Sequence, residues 1–196
     1  ATPEPAAALR ELIGDSVQFE SIEYLGCGSA NPHWRVRANG RDMVWRQFGD
    51  AALAPGADRA REAAAHRAIA GRSWAPHLIA AVPGVGMLFE ASPGRHPDPR
   101  TLTPAERTRL IEAVIECWSL PCPLPVLDYV ELIEDYVQRA GAHDDARRLG
   151  IQLQAACRSW PSGGPSGGPS GGFCLVHHDL HAGNLLLSHT GWTLLD

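Results

Sequence analysis

Phe173 to Asp196 reads FCLVHHDLHAGNLLLSHTGWTLLD, and this stretch limits the possible folds more than any other part of the chain. An apolar run from Phe173 to Val176 enters a polar loop, and a second run, Leu185 to Leu187, leaves it. A tight turn at His189-Thr190-Gly191 then returns the chain through Trp192 to Leu195 and ends on an acid, Asp196. Apolar runs this short, bounded by turn residues, predict a buried strand, a loop, a second short strand, a turn and a third strand.

The loop carries His177, Asp179 and Asn184 in the pattern H-x-D-x-x-x-x-N, and a second aspartate, Asp196, closes the following hairpin. That spacing belongs to phosphoryl-transfer loops. Such a reaction needs the acceptor oxygen, the phosphorus and the leaving oxygen held in line, with the spreading negative charge neutralised. One carboxylate orients or accepts the acceptor's proton, the task that falls to Asp179. A second carboxylate and an amide oxygen hold Mg²⁺ against the phosphates, and Asp196 and Asn184 suit that task. Taken singly, Asp179 reads better as a turn or capping residue and Asn184 as a left-handed turn residue after Gly183; it is the combination with His177, the flanking apolar runs and Asp196 that points to catalysis.

The first half of the chain predicts a small sheet. Pro5 to Ile13 reads as an amphipathic helix, and Phe19 to Leu25, His33 to Ala38 and Met43 to Phe48 as strands of an antiparallel meander, with Asn39-Gly40 as a hairpin turn. A helix over 58–70, with Asp58 as cap, precedes two more strands, Ile79 to Val82 and Met87 to Phe89. The second half predicts helices. Thr103-Pro104 with Glu106 opens one by a capping box, and 128–140 and 144–160 show apolar residues at helical spacing. The domain expectation is therefore residues 1–90, a connection at 91–103, and a helical part over 104–196. Within that part Pro161 to Gly172 repeats PSGG three times and reads as a flexible linker.

VHHDLHAGNLLL followed by WTLLD resembles the catalytic segment of the aminoglycoside phosphotransferase and choline kinase family, and the similarity extends upstream. Gly28-Ser-Ala-Asn31-Pro-His-Trp34-Arg35-Val36 resembles that family's nucleotide loop, and Val44-Trp45-Arg46 the strand that carries a phosphate-binding cation. The resemblance implies an α+β, protein-kinase-like two-lobe fold, with a sheet lobe and a helical lobe that is incomplete at Asp196. It implies ATP and Mg²⁺ as cofactors and a small-molecule alcohol as acceptor. Gly26, Gly28 and Asn31 would cover the phosphates, and Arg46 would bind them, steadied by Glu62. Phe89 and Ala91, at the connection between lobes, would receive adenine. His177 would brace the loop, and His181 would either approach the γ-phosphate or lie solvated. Within the family, the fragment from Pro125 to Tyr136 is most similar to thiamine-kinase-like and choline-kinase-like members. An aminoglycoside acceptor is the alternative.

Composition narrows the partners. All 17 basic residues are arginine, so Arg46 stands where a lysine is usual, with a permanent charge and several donors. A net charge of −5 with scattered arginines argues against a nucleic-acid groove. No apolar run approaches the roughly 20 residues that span a bilayer, and the expected location is cytoplasmic. Five cysteines without a CxxC pair suggest neither a disulfide framework nor a zinc knuckle. Two rival readings remain: a nucleotide-binding fragment without turnover, and a metallohydrolase that uses His177, His178, Asp179 and His181 as ligands.

Overall fold

The computed structural model describes residues 4–27, 31–49, 58–121, 124, 129–139, 144–159, 175–177 and 179–195. Gly28, His178, Asp196 and the PSGG repeat lie outside the described residues.

Five strands form one antiparallel sheet in the first half: β1 (Phe19–Cys27), β2 (Pro32–Ala38), β3 (Arg41–Gln47), β4 (Leu78–Val82) and β5 (Gly86–Glu90). Their spatial order is β1-β2-β3-β5-β4. At the β2–β3 turn, Asn39 has φ 51° and Gly40 φ 71°, the left-handed pair that a two-residue hairpin needs. The register pairs Trp34 with both Tyr24 and Trp45, and Val44 with Phe89.

Side chains alternate across the sheet, so the two faces have separate cores. On one face α1 (Pro5–Ile13) lays Ala8 and Leu9 onto Val36, Trp45 and Leu88. On the other, α2 (Arg59–Ala68) packs Ala63 against Phe48, Met87 and Phe89. Leu9, Trp45, Met87 and Leu88 are fully buried, and each apolar side chain so removed from water stabilises the fold by about 1.5–3 kcal/mol. The cap expected of Asp58 is formed: its Oδ1 accepts the Arg61 N–H at 3.0 Å.

The second half is helical, with α3 (Pro104–Ser119), α4 (Tyr129–Arg139) and α5 (Asp144–Ser159), and α4 packs on α5. A two-stranded hairpin, β6 (Leu185–Leu187) and β7 (Trp192–Leu194), leans on α3, where Trp192 Nε1 donates to the Glu106 carbonyl at 2.8 Å. The chain is thus α+β, with an antiparallel sheet half and a helical half. No helix among the described residues is long and apolar enough to cross a membrane.

One sequence expectation is corrected here. Leu175 and Val176, the described part of the first predicted strand, join no ladder. The Leu175 N–H bonds instead to the Leu120 carbonyl at 3.4 Å, at the end of α3. No neighbouring strand reaches this segment among the described residues, and an apolar run without a partner edge does not become a strand.

Three hydrogen-bonded straps tie the helical half to what precedes it. Arg95 and Leu187 exchange both N–H···O bonds, at 3.1 and 2.9 Å. His96 Nδ1 donates to the Leu185 carbonyl at 3.0 Å, and the Leu194 N–H donates to the Trp74 carbonyl at 2.8 Å. Gly94 makes the first strap possible. Its φ is +135°, and a Cβ there would lie 2.9 Å from the Leu187 carbonyl oxygen.

Candidate active site

Between the sheet and the β6–β7 hairpin lies a cleft of about 560 Å³. The sheet side contributes Leu25, Gly26, Val44, Arg46 and Phe89, and the helical side Asp179, His181, Gly183, Asn184 and Leu195. Residues far apart in sequence therefore face one space because the straps described above hold the two halves together.

His177, Asp179 and Asn184 of the loop are placed by specific bonds. The His177 Nδ1 accepts the Asp179 N–H at 3.3 Å, which leaves the ring proton on Nε2, where it is donated to the Leu195 carbonyl at 2.8 Å. One ring thus ties the Asp179 backbone to the residue just before Asp196. A single 3₁₀ turn, Ala182–Asn184, follows, and the Leu195 N–H closes onto the Asn184 carbonyl at 2.8 Å. The Asn184 carboxamide donates from Nδ2 to the Asp179 backbone oxygen at 3.0 Å and to its Oδ2 at 3.1 Å. Its Oδ1 is therefore turned away from that carboxylate.

His181 is exposed and lines the cleft. The Gly183 N–H donates to its Nδ1 at 3.0 Å, so the proton sits on Nε2, which lies 3.5 Å from Asp179 Oδ2. The ring is aimed at the neighbouring carboxylate, while Asp179 itself remains exposed to the cleft.

On the sheet side, Arg46 Nη2 donates to Glu62 Oε1 at 3.0 Å, and the Arg46 side chain is only 8% exposed. β3 carries the arginine and α2 carries the glutamate, so the ion pair pins helix to sheet next to the cleft. Arg59 holds the other oxygen of the same carboxylate, Nη1 to Oε2 at 3.3 Å.

Asn31 and Ala91 each make a hydrogen bond within the sheet half. Asn31 is buried, and its Oδ1 accepts the Gly49 N–H at 3.2 Å, fastening the start of β2 to the end of β3. The Ala91 N–H donates to the Asp42 carbonyl at 3.0 Å, and the residues around it, Phe89, Glu90 and Ser92, are the ones that line the cleft. The Glu90 carboxylate accepts from Arg41 Nη2 at 2.9 Å and from His77 Nδ1 at 2.8 Å. Hydrogen bonds from Arg41 first and His77 second hold its pKa below the usual 4.5.

The sequence reading missed His33, His66 and His96, which also line the cleft, and Arg59. His66 follows Glu62 by one helical turn and meets Phe89 edge to face, with ring centroids 4.9 Å apart. The i,i+4 spacing from Glu62 was the available signal for His66. His96 gave none, because it reaches the cleft only through the pairing of residue 95 with β6. Among the described residues no three His, Cys, Asp or Glu side chains gather as a metal-binding group.

No protein-family model matches this chain, and no curated protein sequence matches it. Solved structures do. A choline kinase from Cryptosporidium parvum Iowa II superimposes with a TM-score of 0.62 at 15% identity, over 92% of this chain and 57% of that one. A thermostable mutant of aminoglycoside phosphotransferase APH(4)-Ia, in ternary complex with AMP-PNP and hygromycin B, gives 0.62 at 14% identity over 99% and 70%. Macrolide 2'-phosphotransferase MphH from Brachybacterium faecium gives 0.59 at 16% identity over 97% and 69%. The structural neighbours are small-molecule phosphotransferases with a protein-kinase-like fold, and this chain has that fold. It spans little more than half the length of the choline kinase.

Proposed function

We propose that the chain carries the nucleotide lobe and catalytic loop of an ATP-dependent phosphotransferase that moves the γ-phosphoryl group to a hydroxyl of a small molecule. The supporting observation is the meeting, across one cleft, of Arg46 with its Glu62 partner and the Asp179–Asn184 pair. In this reading residues 1–90 hold the nucleotide, 91–103 connect the lobes and 104–196 carry the chemistry.

Asp179 is the base. With Oδ2 committed to Asn184, Oδ1 takes the proton of the acceptor hydroxyl as that oxygen bonds to the γ-phosphorus, and the bond from phosphorus to the bridging oxygen breaks to release ADP. Arg46 binds the α- and β-phosphates. Gly26 and Gly28 cover the nucleotide, and Phe89 and Ala91, with Ser92 beside them at the connection between lobes, receive adenine. The donors suit Mg²⁺: the Asn184 Oδ1 and the Asp196 carboxylate are hard oxygens, and the hydrogen bonds of Asn184 Nδ2 leave Oδ1 facing away from Asp179. When bound there, Mg²⁺ would neutralise phosphate charge.

For the acceptor, the sequence similarity favours thiamine, choline or a related amino alcohol. The fold supports an aminoglycoside equally, since aminoglycoside phosphotransferases are among the structural neighbours. The test is magnesium-dependent release of ADP with thiamine, choline, ethanolamine, homoserine and aminoglycosides, in this chain and in one continued beyond Asp196. Asp179→Asn should lower turnover by at least about 100-fold, the scale of a lost general base, with Mg·ATP affinity close to the parent. Undiminished turnover would remove Asp179 from the reaction.

A further inference from the structure

His96 lines the cleft, and the contacts proposed above for nucleotide give it no task. Its backbone is held on both sides. Arg95, one residue before it, exchanges two backbone bonds with Leu187, and Pro97, one residue after it, is buried. A proline confines the residue before it to extended backbone, so His96 leaves the strap in one direction. The ring is held as well, because His96 Nδ1 lies 3.0 Å from the Leu185 carbonyl oxygen. A carbonyl can only accept, so Nδ1 carries the proton. In the neutral ring Nε2 is then a bare acceptor, and it has no hydrogen-bond partner among the described residues.

His181 shows the opposite tautomer. It takes the Gly183 N–H on Nδ1 and carries its proton on Nε2, so it offers a donor where His96 offers a lone pair. Glu90, the carboxylate at the end of β5, already receives Arg41 and His77. An acceptor fixed in the way of His96 recognises a group that donates a hydrogen bond, and its position selects among such groups. His96 follows Ser92, at the adenine end of the cleft, by four residues, and its ring is bonded to the residue next to Asn184, at the metal end. Between base and phosphates a nucleotide carries its ribose hydroxyls. We propose that His96 is a further nucleotide-binding residue, whose Nε2 accepts a hydrogen bond from a ribose hydroxyl. This rests on the phosphotransferase reading above and adds the group that makes the cleft choose a ribonucleotide.

The experiment is calorimetric titration of the chain with Mg·ATP and with Mg·2',3'-dideoxy-ATP, which keeps base and phosphates and lacks both ribose hydroxyls. The parent should bind ATP roughly three- to tenfold more tightly, the scale of one neutral hydrogen bond. His96→Phe keeps a ring without Nε2 and should lose that preference, binding the two nucleotides within about twofold of each other. His189→Phe, which removes an exposed histidine from the β6–β7 turn, should keep the preference of the parent. A preference that survives His96→Phe, or a parent that binds both nucleotides equally, overturns the proposal. If His96→Phe does not fold, the nitrogen-15 resonance of His96 Nε2 in the parent decides: it should move with Mg·ATP, and a signal that moves as far with the dideoxy nucleotide overturns the proposal. A parent chain that binds no nucleotide removes the phosphotransferase reading, and this inference with it. Parent binding of Mg·ATP that ignores both the hydroxyls and His96 removes this inference alone.

Discussion

Asp179 has two carboxylate oxygens with different surroundings. Oδ2 takes the Asn184 amide at 3.1 Å and faces the His181 ring at 3.5 Å, so rotation of the carboxyl group is restrained and Oδ1 is presented in one direction. At Gly94 backbone conformation does comparable work. Gly94→Ala would combine a left-handed φ with a contact on the Leu187 carbonyl, and should cost about 1–3 kcal/mol, read from the urea midpoint. Arg46→Met should weaken Mg·ATP binding by roughly tenfold or more in the same calorimetric assay. Not all of these roles were readable along the chain. Asp179 and Asn184 stand out because a fixed short spacing carries them, and Arg46 with Glu62 because the order of strand and helix brings them together. Arg59 was hidden, since a surface-type residue at a helix start gives no sign that it lies on a phenylalanine. The His181 tautomer depends on a bond from Gly183 that only coordinates reveal.

α3 begins with the full capping box that Thr103, Pro104 and Glu106 predict. Thr103 Oγ1 accepts the Glu106 N–H at 3.3 Å, and Glu106 Oε2 accepts the Thr103 N–H at 2.7 Å. Thr103→Ala should cost about 1 kcal/mol, seen as a lower urea midpoint at an unchanged slope. The hydrogen bond from the Thr103 side chain, then that from its backbone, holds the Glu106 pKa below 4.5. A depressed carboxylate stabilises the fold above its unfolded pKa, and that stabilisation disappears as pH falls through the folded one. Glu106→Gln should therefore lower stability at neutral pH and flatten its decline below about pH 4.5, measured by urea unfolding across pH 3–6. Most other elements were legible because turns and caps are local. The strand expected before the loop was not, because strand formation needs a partner that local sequence does not specify.

At the scale of the molecule, one apolar core crosses between the halves. Ile69 and Trp74, from the segment after α2, pack with Ala113, Val114 and Cys117 of α3 and with Leu185, Leu187, Trp192 and Leu194 of the hairpin. Trp74→Ala should therefore destabilise both halves together, by about 3–5 kcal/mol, with far-UV circular dichroism and tryptophan fluorescence melting in step. Two separate transitions would show that the halves are energetically independent. α3 turns the opposite way with Ile111, Ile115 and Trp118, which are exposed.

The seat of Arg46 also bears on how the protein can be labelled. Reagents that mark nucleotide sites by acylating an amine depend on a lysine beside the phosphates, and this chain contains none; its cleft cation is a guanidinium, which stays protonated and resists acylation at neutral pH. On the proposed phosphotransferase reading, an ATP-derived acyl donor should bind and leave Arg46 unmodified, and amine-directed profiling of cell extracts would overlook the cleft.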